Sequence, residues 1–231
     1  MKFQIDEKIF ENYPDLKIGL ILIKNFPNQR RVSALESLLR GIFAQRSKEL
    51  KNIDIDTIPE VNHWNMAYNK AGLDFKEISP NIRTTLKKIQ SFTEITHINP
   101  LLDLANFYAL KYFLSIHAID LNWICGDLRL AYTTGDEPFR EINSIEVVKS
   151  APDEVAYLDQ GGIIARHFNF RECERTRITD RTQNAGLFIE DLSRLTTQNF
   201  TQILGEIASS VQKYLGGDIV INILSKEALT A

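Results

Sequence analysis

The hydrophobic pattern of the chain changes its period about half-way along the sequence. In the first half, apolar residues recur at the three- and four-residue spacing of helices. After residue 128 they alternate with polar residues, as they do in half-buried strands. Turn signals at residues 135–138 and 159–162 favour antiparallel connections between these strands. The pattern therefore predicts an α+β fold with a helical first half and mainly antiparallel strands in the second half.

The same pattern predicts the individual elements. Helices are expected at residues 30–50, 58–71, 80–92, 101–114 and 196–215. Alternating strands are expected at residues 128–133, 145–148, 154–158, 162–166 and 185–190. The apolar runs at residues 17–24 and 218–224 predict two buried strands, and the first should lie centrally in a sheet.

Length and composition describe an ordinary globular chain. With 231 residues, 44% of them hydrophobic and 25% charged, the sequence is expected to form one domain over residues 1–231. No apolar run reaches about eighteen residues and the first residues carry acids, so we expect a cytoplasmic protein without a membrane partner. The net charge of −3 argues against indiscriminate nucleic-acid binding and against DNA as a partner.

Common cofactor and metal motifs are missing from the sequence. There is no phosphate-binding loop, dinucleotide fingerprint or Gly-x-Ser-x-Gly nucleophile motif. The two cysteines lack metal-ligand spacing, and the four histidines lack the pairing of a metalloprotease helix. We therefore expect no cofactor and no metal.

One apolar helix and the residues after it gather several polar side chains. Asn99 is placed to cap the helix, and Asp103 and Asn106 form part of its polar edge. His117 and Asp120 follow closely, and they could reach that edge if the chain turns back. The alternatives are that the polar edge simply faces water and that Asp120 only ends a turn.

A basic segment follows at residues 166–181. Its five arginines, which outnumber three acids, are Arg166, Arg171, Arg175, Arg177 and Arg181. Phe168 and Phe170 lie among them, and arginines with aromatic rings can hold a nucleic-acid strand end by charge and stacking. The alternative is a surface loop whose charges pair among themselves.

Together these residues resemble the tRNA-binding and editing module of the phenylalanyl-tRNA synthetase beta subunit. The resemblance covers about residues 80–191 and rests on Ile98-Asn99-Pro100, Asp103, Asn106, His117-Ala118, Asp120, Asp180, Thr182-Gln183-Asn184 and Glu190. Residues 166–172 and Glu174-Arg175-Thr176 resemble a motif of the freestanding form of this module. The resemblance implies a layered β/β/α arrangement.

The resemblance also implies a function and a set of site residues. The implied activity is that of an aminoacyl-tRNA deacylase, which supports translation fidelity by hydrolysing the ester of a mischarged tRNA in trans, without any aminoacylation. The implied partner is tRNA, at its aminoacylated 3′ end. The implied catalytic residues are His117, Asn169 and Glu190; substrate binding falls to Asn99, Asp103, Asn106, Arg171, Glu172 and Thr176, and RNA binding to Arg166, Arg175, Arg177 and Arg181.

Two departures from the synthetase pattern bear on the substrate. Residues 166–172 replace the paired-glycine stretch that borders the amino-acid pocket in the synthetase module, and the spacing from Asn184 to Glu190 is longer. Both argue against tyrosine on phenylalanine tRNA as the ester that is cleared. A non-catalytic RNA-binding module and a pocket for a free amino acid or nucleotide remain alternatives, and the pattern predicts no oligomeric state.

Overall fold

The computed structural model describes residues 1–27, 31–93 and 97–231. The helices are α1 (Glu7–Asn12), α2 (Ser33–Leu50), α3 (Pro59–Lys70), α4 (Asn81–Gln90), α5 (Pro100–Tyr112) and α6 (Thr197–Tyr214). The strands are β1 (Phe3–Ile5), β2 (Lys17–Lys24), β3 (Ser115–Asp120), β4 (Leu128–Thr134), β5 (Pro138–Phe139), β6 (Val148–Lys149), β7 (Pro152–Asp159), β8 (Gly162–Arg166), β9 (Arg171–Glu172), β10 (Ala185–Asp191) and β11 (Asp218–Leu224).

The strands form two main sheets. The first sheet has the order β1-β4-β7-β8-β9, in which only β1 and β4 pair in parallel. The second sheet has the order β11-β2-β10-β3 and is antiparallel throughout. β5 and β6 form a separate small hairpin. The prediction of mainly antiparallel pairing is confirmed.

The two sheets and two helices stack in layers. Phe188 on β10 reaches across to the first sheet, with ring centroids 5.4 Å from both Phe3 and Tyr157. On the opposite face, Leu187 packs in the same apolar cluster as residues of α5 and α6. At Gly19 on β2, an added Cβ would overlap the Leu204 side chain, so this glycine lets α6 approach the sheet closely. The sheet–sheet–helix order confirms the β/β/α layering and the α+β class.

Most helices and central strands agree with the predicted segments. The predicted start of α2 at residue 30 lies outside the described residues, and the helix itself begins at Ser33. The predicted strand at 145–148 is wrong except at its last residue, since Ile145 is 97% exposed in a loop with no sheet partner in the described chain. β11 is an edge strand with an exposed Val220, so its predicted burial is also wrong.

Candidate functional site

The centre of the site is a carboxyl group buried between the two sheets. Glu190 on β10 is 0% exposed, and it lies beside Ser115 of β3 in the strand register. Its Oε1 accepts a hydrogen bond from the Tyr157 hydroxyl at 2.6 Å, and its Oε2 accepts one from the Ser115 hydroxyl at 3.0 Å. The Asn169 side-chain amide also donates to Oε2. Burial raises the pKa of Glu190 to about 7, although these three donors lower it.

His117 lies next to this carboxyl group. Its ring stacks on Phe188 at 5.0 Å and meets the Tyr157 ring edge-on at 5.1 Å. Its Nδ1 is 4.0 Å from Glu190 Oε2, which is too long for a hydrogen bond, and it has no hydrogen-bond partner in the described chain. Burial lowers the pKa of His117 to about 3, so the ring is neutral at neutral pH.

Asn169 joins the buried carboxyl group to the helical part of the molecule. Its Oδ1 accepts a hydrogen bond from the backbone N–H of Asn81, the first residue of α4, at 3.0 Å. The Tyr68 hydroxyl also reaches this oxygen at 3.5 Å and donates to the His167 carbonyl at 2.6 Å. The structure therefore brings the predicted residues His117, Asn169 and Glu190 together in one buried cluster.

An open cavity of about 580 Å³ lies beside the cluster. Leu102, Ala118 and Ile142 form part of its apolar wall, and Glu172 and Arg177 are among its charged residues. Burial, with a further contribution from the charge of Glu190, raises the pKa of Glu172 to about 7. Near neutral pH the cavity therefore contains a carboxyl group that can both accept and release a proton.

Several of the predicted substrate-binding residues make contacts within the fold. Asn99 caps α5 by accepting from the Leu102 N–H at 2.9 Å and also donates to the Thr179 carbonyl. Thr176 is 1% exposed and shares a 3.1 Å hydrogen bond with the Cys173 sulfur. Asn106 lies half-buried on α5, and Arg171 on β9 has an exposed side chain.

The expected gathering of Asp103, Asn106, His117 and Asp120 is wrong for the described contacts. Asp103 pairs with His97 at 2.6 Å, and burial raises its pKa. Asp120 ends β3 and accepts from the Thr182 hydroxyl at 2.7 Å and from the Asn122 N–H. The reason is the alternation of β3, because His117 faces the other sheet while Ala118 faces α5.

The basic segment is largely neutralised by pairing. Arg166 makes two hydrogen bonds to Glu154 at 2.8 and 2.7 Å, and Arg175 makes two to Asp159 at 2.9 and 2.7 Å. The other two pairs are Arg171 with Glu141 and Arg177 with Glu174. Arg181 is exposed. Phe168 is 2% exposed and packs on Tyr13 and Trp64, so it cannot stack on a nucleic acid.

Three members of the buried cluster are not predicted from the sequence. They are Ser115, Tyr157 and Tyr68, and each contributes a hydroxyl donor to Glu190 or to Asn169. Their spacing along the chain carries no signal, because only the packing of β3, β7 and α3 around β10 brings them together. The one available hint was the strand predicted at residues 154–158, which contains Tyr157 and lies within β7.

Comparison with known proteins defines the class of this chain. The model of the B3/4 domain family matches residues 63–210, which is more than half of the chain. The protein therefore belongs to the B3/4 domain family, and the predicted resemblance to a module of the phenylalanyl-tRNA synthetase beta-subunit type is confirmed.

A solved structure with similarity to the chain is an N-terminal fragment of the phenylalanyl-tRNA synthetase beta subunit from Pyrococcus horikoshii. The two share 12% identity with a TM-score of 0.47, over 94% of this chain and 49% of that one. The chain thus spans about half the length of that fragment. No curated protein matches the sequence. Within the described residues, no helix has the length and apolar character needed to cross a bilayer.

Proposed function

We propose that this protein hydrolyses the ester of a mischarged aminoacyl-tRNA in trans, and that the aminoacyl group enters the 580 Å³ cavity. The observation that carries this proposal is Glu172, a carboxyl group with a pKa of about 7 in the wall of that cavity. A general base works best when its pKa lies near the operating pH. Membership of the B3/4 domain family supports tRNA as the partner.

The proposed reaction needs a base and a shaped pocket but no strong nucleophile, because an aminoacyl ester is already activated. Glu172 accepts a proton from a water molecule whose oxygen attacks the ester carbonyl carbon. The bond from that carbon to the ribose oxygen then breaks, and the proton passes to the departing oxygen. Leu102, Ala118 and Ile142 offer an apolar surface for the amino-acid side chain.

In this proposal, the substrate is not contacted by the three buried residues His117, Asn169 and Glu190. Glu190 is fully buried, so it affects the reaction through its charge, which contributes to the raised pKa of Glu172. Asn169 holds Glu190 in place, and neutral His117 fills the space beside it. They are positioning residues. Arg177 lines the cavity, and the exposed Arg181 follows shortly after it in the sequence. We propose that the positive charges of these two arginines attract the tRNA in the cytoplasm.

The test is deacylation of a panel of mischarged and correctly charged tRNAs by the purified protein. We expect turnover of one mischarged class, and a loss of about 100-fold or more in Glu172→Gln, which keeps the shape but not the base. Glu11→Gln, at an exposed acid on α1, is the matched control and should leave turnover unchanged.

Two results would replace this function with another. Salt-sensitive tRNA binding without any turnover would identify a non-catalytic RNA-binding module. Binding of a free amino acid or nucleotide that is unaffected by tRNA would identify a small-molecule pocket.

A further inference from the structure

A large aromatic side chain is exposed on the same side of the molecule as the basic segment. Trp123 ends a short 3₁₀ turn after β3 and is 59% exposed, whereas the other tryptophan, Trp64, is 2% exposed. An indole of this kind offers a face on which a planar group can stack.

The backbone under Trp123 is held firmly in place. The Arg175 guanidinium donates to the Trp123 carbonyl and, through two further hydrogen bonds, to Asp159 at the end of β7. Asp159 in turn accepts from the Cys125 N–H at 2.7 Å and from the Gly161 N–H at 2.7 Å. The ion pair therefore clamps the tryptophan turn onto the β7–β8 hairpin, so the exposed indole is presented by a rigid base.

A second cavity, of about 440 Å³, opens beside this indole. Its floor includes the buried side chains of Phe139 and Ile163, and Trp123 lies at its edge. Arg140 also lines it; this side chain is exposed, and no ion pair or hydrogen bond to it is found among the described residues. In the part of the chain that the structure describes, the cavity thus combines an aromatic face, an apolar floor and an arginine without an ion pair.

Two neighbouring chain segments contribute different residues to the second cavity and to the first. Two chain segments lie side by side, since the Glu174 N–H donates to the Arg140 carbonyl at 2.8 Å and the Ile142 N–H donates to the Glu172 carbonyl at 3.2 Å. Ile142 and Glu172 line the first cavity, whereas Arg140 and Glu174 line the second. One pair of segments therefore separates the two cavities.

We propose that the 440 Å³ cavity binds a nucleotide of the tRNA 3′ end, with its base stacked on Trp123 and its phosphate paired with Arg140. This assignment rests on the proposed function, since it places RNA next to the cavity that takes the aminoacyl group. Aromatic faces and guanidinium groups bind single-stranded nucleotides. Arg140 has no ion pair among the described residues, and its positive charge favours a phosphate over an uncharged ligand.

The test uses the fluorescence of Trp123, which needs no catalysis. Because Trp64 is buried, quenching by a stacked base reports on Trp123, and we would titrate the protein with adenosine monophosphate and with the trinucleotide CCA. We expect saturable quenching by both. In a separate binding measurement, the affinity of Trp123→Ala for tRNA should be weaker by roughly 5- to 150-fold, which corresponds to the loss of one stacked base. Phe92→Ala, at another exposed aromatic, should have no effect.

Arg140→Gln tests the phosphate contact separately. Removing one contact to a single strand should lower the slope of log affinity against log salt by about 0.7. Arg40→Gln, at an exposed arginine on α2, should leave the slope unchanged.

The outcomes separate this inference from the proposed function. Nucleotide quenching with no deacylation would keep this site and remove the hydrolase. Deacylation whose KM is the same in Trp123→Ala would keep the hydrolase and overturn this site. Quenching by phenylalanine amide but not by nucleotides would also overturn it, in favour of an aromatic small molecule.

Discussion

At the scale of single residues, the pKa values of the site's acids and of its histidine are shifted in opposite directions. Glu190 and Glu172 both hold their protons to about pH 7, whereas His117 stays neutral down to about pH 3. Burial is the first cause in all three, because it disfavours the charged form of each group. Glu190 and His117 are thus both uncharged between about pH 3 and about pH 7.

Glu190→Gln should change how stability depends on pH. The pKa of Glu190 is raised from 4.5 to about 7, so its stabilising effect is complete below pH 4.5 and is lost as the pH rises through 7. The variant cannot ionise, and the wild type should therefore lose up to about 3 kcal/mol relative to it over this range. Urea unfolding at pH 4.5, 6 and 7.5 measures the difference. A constant difference across these three values would mean that Glu190 does not titrate there.

His117→Phe should act on the other side of the pH scale. The pKa of His117 is lowered from 6.5 to about 3, so its stabilising effect is present above pH 6.5 and is lost as the pH falls toward 3. Phenylalanine has a similar shape and leaves no buried nitrogen without a partner, so we expect greater resistance to acid unfolding. Thermal unfolding at pH 4 and 7 checks this; a variant weakened equally at both would indicate a packing defect.

The same variant bears on mechanism. If His117 only fills space, His117→Phe should keep most of the deacylation activity. Loss of turnover with a normal melting temperature at pH 7 would instead assign the ring a direct part in the reaction.

At the scale of elements, the sequence predicts what is decided locally. The start of α5 was predictable because the Asn99 cap and Pro100 act within one turn, and the end of α6 because Gly216 and Gly217 adopt positive φ angles of 73° and 91°. β3 was missed as a strand, since all six of its residues are buried and no alternation marks it.

Strand order and side-chain grouping depended on pairing that is remote in sequence. β10 lies between β2 and β3, which are separated from it by well over fifty residues, and this pairing places Ser115 beside Glu190. The apolar residues Ile145 and Val147 suggested a strand, but among the described residues the loop that carries them pairs with no sheet. Cys125 and Cys173 form no disulfide; the first is exposed and the second buried.

At the scale of the whole molecule, the second sheet contributes residues to two apolar clusters, one on each of its faces. One of its faces meets the first sheet and the other meets α5 and α6, so the sheet that carries Glu190 is covered on both sides. The single domain over residues 1–231 remains a prediction. What the layering explains is the burial of the cluster, since a residue of β10 that faces the first sheet has no route to water.

The first and last residues of the described chain lie side by side. Phe3 and Ala231 exchange two backbone hydrogen bonds at 2.9 Å, and the Ile5 N–H donates to the Leu229 carbonyl. Neighbouring strands are only about 5 Å apart. β1 is therefore held between β4 and the final residues of the chain.

Because these two ends lie side by side, we expect the fold to tolerate a different order of segments along the chain. A circular permutant that joins Ala231 to Met1 through a short glycine–serine linker, and opens between the exposed Lys51 and Asn52, should fold to the same stack of layers. Its circular dichroism spectrum and melting temperature, compared with the parent, measure this. Normal folding would show that connectivity at that junction is dispensable; failure to fold would show that the covalent link after α2 is needed for the fold.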